Sequence, residues 1–179
     1  LSLHDALPIC YGLSFDNVKL DRSTYYFNGQ CDVLLAGRYL CEAIGNRSTS
    51  SVGYSLVYDN LNNRQRPTAG NRVVWSQDFA GVGGSVRYIR STVNAKKYWG
   101  FGKGFIFSVS GEAGMIKGLG QNVRLTDRFF LGEPEMRGFD IRGVGPRVIR
   151  TFYDTTTGKP YASSNQSTDD ALGGTKYYQ

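Results

Sequence analysis

Side chains that carry out acid-base or nucleophilic catalysis are scarce in this chain. His4 is the single histidine among 179 residues, which leaves no second imidazole to activate a serine or cysteine nucleophile elsewhere in the sequence. Hydrolase function therefore loses most of its support, and no residue is assigned a catalytic role. The glycine cluster Gly100–Gly104 lacks the strand-to-helix context of a phosphate-binding loop and is interpreted as a hairpin turn. We expect a protein that is not an enzyme and holds no cofactor.

The three cysteines do not have the paired spacing of a zinc site, so no metal is expected. Cys31 and Cys41 fall in one connecting segment, whereas Cys10 lies apart from them. Two interpretations of the pair stay open, because the spacing suits a small loop disulfide in an oxidising compartment as well as two free thiols.

The basic character of the chain does not indicate a nucleic-acid partner. The net charge is +6 and the isoelectric point about 9.3, but lysine and arginine are spread thinly along the sequence. Because a nucleic-acid footprint clusters its cations on one face, we expect a solvated surface or a lumen lined by these charges and no nucleic-acid binding.

The cation with the clearest need for a partner is Arg137, which lies in a long segment without a sustained strand or helix period. The segment, residues 116–171, is 56 residues long, far beyond the usual length of a connection. Its large apolar side chains are Phe129, Phe130, Met136 and Phe139. Such a composition is too apolar for a disordered linker. We therefore predict that the loop is tucked inside a cavity, where Arg137 is buried or half-buried and meets an acidic residue.

The walls of such a cavity are predicted to be strands. Four segments before the loop have strand character: Ser51–Asp59, Arg72–Phe79, Val86–Tyr98 and Gly104–Met115. Three of them alternate an apolar face with a face of small or polar residues, Glu112 included. In Val86–Tyr98 the basic residues fall on both faces, and its orientation stays open. Two further strands are predicted, at Cys10–Leu20 and Ala171–Gln179. A short amphipathic helix is predicted over Asp32–Gly45, with Asp32 as its N-terminal cap and Gly45 at its end.

The length of these strands indicates a membrane protein. Segments of about 9 to 13 residues exceed the usual strand and match a tilted crossing of a bilayer. The polar face suits a water-filled lumen, and no run of apolar residues is long enough for a membrane helix. Aromatic residues near strand ends suit interfacial girdles; they are Tyr58, Tyr98, Trp99 and Phe101. The predicted fold is all-β, an antiparallel transmembrane β-barrel.

The ends of the chain are interpreted separately. Residues 1–9 fit no element and resemble the translation of a sequencing adapter, so they are expected to be an artefact. Residues 10–179 are interpreted as a partial outer-membrane barrel domain of about six strands, with residues 116–171 as a long extracellular loop. Because a closed barrel needs a final strand, we expect a fragment at both ends.

Three motifs in order carry a resemblance to a known family. They are the turn Asp59–Gly70, the stretch Arg128–Gly132 and the tripeptide Arg137–Phe139. From about Tyr11 to Gln179 the chain resembles the barrel of the BamA family of outer-membrane assembly factors, in the bacterial surface-antigen superfamily. The resemblance implies a sixteen-stranded barrel whose sixth extracellular loop folds back into the lumen.

The resemblance also implies roles for individual residues. The tip of the family's loop is a Val-Arg-Gly-Phe/Tyr motif, which Met136, Arg137, Gly138 and Phe139 match as a loop-docking motif, with Met in place of Val. The family's acidic partners of the arginine lie on strands downstream of the loop. Glu112, on the polar face, is the local candidate for that partner.

The implied function is folding and insertion of β-barrel proteins into the outer membrane of Gram-negative bacteria. The implied partners are outer-membrane lipids, unfolded outer-membrane proteins and, through upstream POTRA domains, the lipoproteins of the assembly complex. Alternatives are a two-partner secretion pore of the same superfamily, a passive porin or outer-membrane lipase, and a soluble β-rich binding module.

Overall fold

The computed structural model describes residues 8–102, 104–149, 151–162 and 170–179. Its strands are β1 (Ile9–Val18), β2 (Tyr26–Phe27), β3 (Gln30–Cys31), β4 (Gly45–Asp59), β5 (Gly70–Ala80), β6 (Tyr88–Phe101), β7 (Phe105–Gly118), β8 (Thr151–Tyr153), β9 (Pro160–Ala162) and β10 (Lys176–Tyr178). Its helices are α1 (Arg22–Tyr25), α2 (Val33–Ala36), α3 (Arg38–Ala43) and a 3-10 helix (Leu125–Asp127). Across the described ranges, none of these helices has the length and apolar character that a membrane crossing requires. Most of residues 1–9, the expected artefact, lie outside the described residues.

Six strands form one sheet in the order β1-β4-β5-β6-β7-β10. The pairs from β4 to β7 and the pair of β10 with β7 are antiparallel. Short antiparallel pairs are also formed by β2 with β3 and by β8 with β9. The prediction of an all-β fold with about six antiparallel strands is thereby confirmed, while closure into a sixteen-stranded barrel stays a prediction.

The long strands extend beyond their predicted bounds. β4 starts at Gly45 rather than Ser51, and β7 continues to Gly118, inside the segment predicted to be loop. The residues added to β4, Gly45–Ser50, are glycine and polar residues, so the apolar alternation on which the prediction relied is missing there. The loop itself contains the 3-10 helix and the β8–β9 hairpin.

The strand register sorts the side chains of the sheet onto two faces. Residues directly opposite each other on antiparallel strands point to the same side. Leu56, Trp75, Val93 and Ala113 face one another in one row, and Asn94 faces Glu112 on the opposite side. We call these sides the apolar face and the polar face. The alternation predicted for β4, β5 and β7 is confirmed.

The orientation of β6, which the sequence left open, follows from its partners. Arg90, Asn94 and Lys96 share the polar face with Glu112, whereas Lys97 lies on the apolar face opposite Val109. The basic residues on both faces therefore belong to one regular strand and do not indicate a break in it.

The apolar face is exposed along its length. Its exposed residues include Val52, Leu56, Trp75, Phe79, Val93, Trp99, Phe105, Phe107, Val109 and Met115. The buried apolar residues at the end where β5 leads into β6 are Ala80, Tyr88 and Ile116 of the strands and Val86 of the turn. An exposed apolar face of this size requires a cover that is not water.

Contacts divide the chain into two compact units. The sheet unit comprises the chain up to Ser14, Ser48–Asn122 and Lys176–Gln179. The loop unit comprises Phe15–Arg47 and Val123–Thr175, and it contains the helices, both short hairpins and the predicted loop motif.

The helix predicted over Asp32–Gly45 is present as two short helices. Asp32 caps the first, as predicted, by accepting a hydrogen bond at 2.8 Å from the Leu34 amide. Gly37, with φ of 79°, separates α2 from α3, because a positive φ does not fit a continuous helix. Of the two interpretations of the cysteines, the structure shows the disulfide, joining Cys31 to Cys41.

Candidate functional site

The predicted docking motif lies at the tip of a closed turn. Residues 132–143, here called the loop tip, are closed by a bridge in which the Val144 amide donates to the Leu131 carbonyl at 3.1 Å. Inside it, the Met136 amide donates to the Gly132 carbonyl at 2.8 Å. A Cβ at Gly132 would lie 2.2 Å from the Asp140 carbonyl oxygen, so the two sides of the tip approach each other too closely for any side chain there.

The loop tip presents a cation between apolar groups. Arg137 and Phe139 are exposed, Phe139 by 49% of its surface, and Met136 is half-buried. Gly138 has φ of 89°, which favours glycine. At the base of the tip the Arg142 guanidinium lies 4.9 Å from the centre of the Phe130 ring. The loop tip can therefore place the Arg137 guanidinium and the Phe139 ring together on a surface that has a carboxylate beside an apolar wall.

The predicted acidic partner belongs to a polar row of the sheet unit. Glu112 accepts a hydrogen bond at 2.9 Å from the Asn94 amide and another from the Tyr177 hydroxyl. Its backbone exchanges two hydrogen bonds with Gln179. Among the described residues no ion pair of Arg137 is formed, and this side chain is exposed rather than buried in the chain. Contact between Arg137 and Glu112 stays a prediction.

An ion pair that the sequence did not indicate joins β4 to the 3-10 helix of the long loop. The Arg47 guanidinium donates to both carboxylate oxygens of Asp127, at 2.9 and 3.1 Å. It also reaches Asp16 at 3.4 Å. Arg47 and Asp127 are buried, and they stand 80 positions apart in the sequence. No local pattern could have found this pair.

A second arginine joins an early and a late part of the long loop, residues 123–131 and 170–174, which are here called the loop base. Arg128 donates from Nε to the Val123 carbonyl at 3.2 Å and from Nη1 to the Leu172 carbonyl at 3.3 Å. Its guanidinium lies 4.2 Å from the centre of the Tyr39 ring. Since Tyr39 is on α3, which the disulfide at Cys41 ties to β3, the loop base rests on a cross-linked element.

Comparisons with known proteins identify a family of outer-membrane proteins. The Omp85 superfamily domain matches residues 5–179. The chain is 35% identical over 170 residues to the outer membrane protein assembly factor BamA of Neorickettsia risticii, covering 94% of the chain and 19% of that protein. It is 30% identical over 141 residues to a SAM50-like protein of Drosophila melanogaster, covering 75% of the chain and 32% of that protein. The chain thus spans a fifth to a third of the length of these relatives.

Proposed function

The chain belongs to the Omp85 superfamily, and on that premise we propose that it is part of the central barrel subunit that folds and inserts β-barrel proteins into the bacterial outer membrane. The observation that carries the proposal is the 35% identity to an outer membrane protein assembly factor over 94% of the chain. The SAM50-like relative from a fly extends the family to eukaryotes, and the bacterial assignment rests on the longer and more similar match.

The two faces of the sheet support a membrane location. An apolar face exposed along four paired strands suits contact with lipid, and a polar face suits a water-filled lumen. We propose that residues 10–179 contribute these six strands to a sixteen-stranded barrel, which further strands complete. The partners are outer-membrane lipids, unfolded outer-membrane proteins and, through periplasmic domains, lipoproteins of the assembly complex. The mechanism is backbone templating and uses no cofactor or catalytic residue.

Within this function the loop tip docks residues 116–171 inside the barrel. Arg137 binds a carboxylate by a charge-assisted contact, Gly138 permits close approach, and Phe139 packs on the inner wall. Glu112 is the local candidate for the carboxylate. The exposure of Arg137 and Phe139 in this chain is consistent with a surface that is completed by other strands.

The proposal is tested in cells that depend on the full-length protein carrying Arg137→Ala. We expect a lower level of several different outer-membrane barrel proteins and slower growth. The matched control is Arg22→Ala, which removes an exposed arginine of the loop unit that is not part of residues 132–143. Normal growth with normal barrel levels in the Arg137→Ala cells would contradict the role of the motif. Loss of one dedicated exported protein alone would assign the chain to a secretion pore instead.

A further inference from the structure

One end of the sheet carries a concentration of cations. At this end, here called the turn end, β4 leads into β5 and β6 leads into β7. The segments 59–72 and 94–110 contain six lysines and arginines and a single acidic residue, Asp59. The acidic residue is already engaged, because Arg64 contacts it at 3.2 Å. Within these two segments the basic residues therefore outnumber the acidic ones by five.

The turn that holds two of these cations is ordered by its own asparagines. Asn62 accepts hydrogen bonds from the amides of Thr68 and Ala69 at 3.0 and 3.1 Å. Asn63 accepts from the amides of Gln65 and Arg66 at 2.8 and 3.1 Å. Because these bonds fix the backbone around Arg64 and Arg66, little conformational entropy remains to be lost when the turn binds a ligand. Both arginines are exposed, Arg64 by 76% of its side chain.

The apolar face at the turn end adds a third cation beside aromatic rings. Lys97 lies on this face opposite Asn71 and Val109. Its ammonium is 5.0 Å from the centre of the Trp99 ring, and Trp99 packs against Phe107 with ring centres 5.5 Å apart. Tryptophan beside lysine on an exposed apolar face is typical of the boundary between acyl chains and headgroups.

We propose that the turn end binds the headgroups of anionic phospholipids, with Arg64, Arg66 and Lys97 contacting the phosphates and Trp99 placed at the acyl boundary. The inference rests on the proposed outer-membrane location and names a lipid class for it. Arginine matches phosphate geometry with paired donors. An acidic polypeptide would satisfy the same charges, but it would leave the neighbouring apolar face uncovered. A phospholipid covers both, because its acyl chains lie along that face.

The test compares which lipids stay bound to the full-length protein. The protein, folded in neutral detergent, is incubated with an equimolar mixture of phosphatidylglycerol and phosphatidylcholine, and the lipids that remain bound are identified by native mass spectrometry. We expect the wild-type protein to retain phosphatidylglycerol selectively. Each basic residue near a membrane surface contributes about a fivefold preference, so the variant Arg64→Ser/Arg66→Ser/Lys97→Gln should lose on the order of 100-fold.

The matched control is Arg87→Ser, which removes an exposed cation from the opposite end of the same sheet. It should leave the preference unchanged, and added inorganic phosphate should not displace the lipid. An unchanged preference in the triple variant, or an equal loss in the control, would overturn the proposal. Displacement by polyglutamate at the same charge concentration would assign the turn end to an acidic polypeptide and would also overturn it. Because lipid retention needs only folded protein, its outcome is independent of the assembly test on Arg137.

Discussion

At the scale of single residues, Arg47 is a buried charge that two carboxylates hold in place. Its side chain is 3% exposed and that of Asp127 is 9% exposed, so both groups have lost most of their hydration. The bidentate contact between them, together with Asp16 at 3.4 Å, compensates for this loss. The pair joins the first residues of β4 to the 3-10 helix at the base of the loop.

We predict that Arg47→Met destabilises the loop base by about 3 kcal/mol, because it leaves the Asp127 carboxylate buried without its main cation. The measurement is the rate at which a protease cleaves the loop in the folded full-length protein, and we expect this rate to rise on the order of 100-fold. The control is Arg38→Met, since Arg38 forms an exposed pair with Glu42 four residues away. Such a pair contributes less than about 0.5 kcal/mol. Equal cleavage of the two variants would contradict the prediction.

These residues differ in how far the sequence alone could identify them. Arg137 could be proposed from the sequence because it belongs to a contiguous motif that resembles a known family, and its role stays a prediction. Arg47 could not be proposed, because its partner is 80 positions away and no local pattern marks either residue. The disulfide was one of two open alternatives, since spacing permits a bond between Cys31 and Cys41 without requiring it.

At the scale of elements, the sequence predicted features that depend on one strand or one helix cap. It did not predict features that depend on neighbouring elements. The Asp32 cap was predicted and is present. The break at Gly37, where φ is positive, was missed. Glycine also suits this position because a Cβ would lie 3.0 Å from the side chain of Val148, which is distant in sequence. The orientation of β6 likewise needed its partners, because its own basic residues occupy both faces.

The β8–β9 hairpin is an element whose stability should depend on pH. The pKa of Asp154 is held below its ordinary value of 3.8 by the Thr156 amide first and the Thr157 hydroxyl second. These groups close the turn at 2.8 Å each, and the Phe152 and Tyr161 rings lie 6.1 Å apart across the strands.

Because the folded pKa is depressed, the carboxylate stabilises the hairpin fully above the ordinary pKa and loses this effect as the pH falls through the folded value. We expect the Thr156 amide to stay protected from exchange at neutral and mildly acidic pH and to lose protection only below 3.8. Amide exchange measured by nuclear magnetic resonance follows this change. The variant Asp154→Asn should show no such titration, and a midpoint above the ordinary pKa would contradict the assignment.

At the scale of the whole molecule, the apolar face contains a polar row that bonds to itself. The Tyr54 hydroxyl donates to Gln77 at 2.6 Å, and the Gln77 amide donates to Ser91 at 3.0 Å. In lipid an unsatisfied polar group costs several kcal/mol, so this ladder across three strands makes the row compatible with an apolar environment. The exposed apolar face could be inferred from the alternation of residues, whereas this ladder depends on the register between strands.

The assignment of one face to lipid predicts that arginine substitutions at two adjacent residues of β6 differ in their effect on folding. Val93 lies on the apolar face between Trp75 and Ala113, and Thr92 lies on the polar face between Ser76 and Gly114. Arginine in the middle of a lipid-facing strand costs about 2 to 4 kcal/mol, whereas a lumen keeps it hydrated. Val93→Arg should therefore sharply reduce folding of the full-length protein into lipid vesicles, and Thr92→Arg should fold nearly as well as the wild type. The folded fraction is measured by gel electrophoresis of unheated samples, in which folded and unfolded protein migrate differently. Equal yields from the two variants would show that the apolar face does not contact lipid, and the proposed membrane location would fail with it.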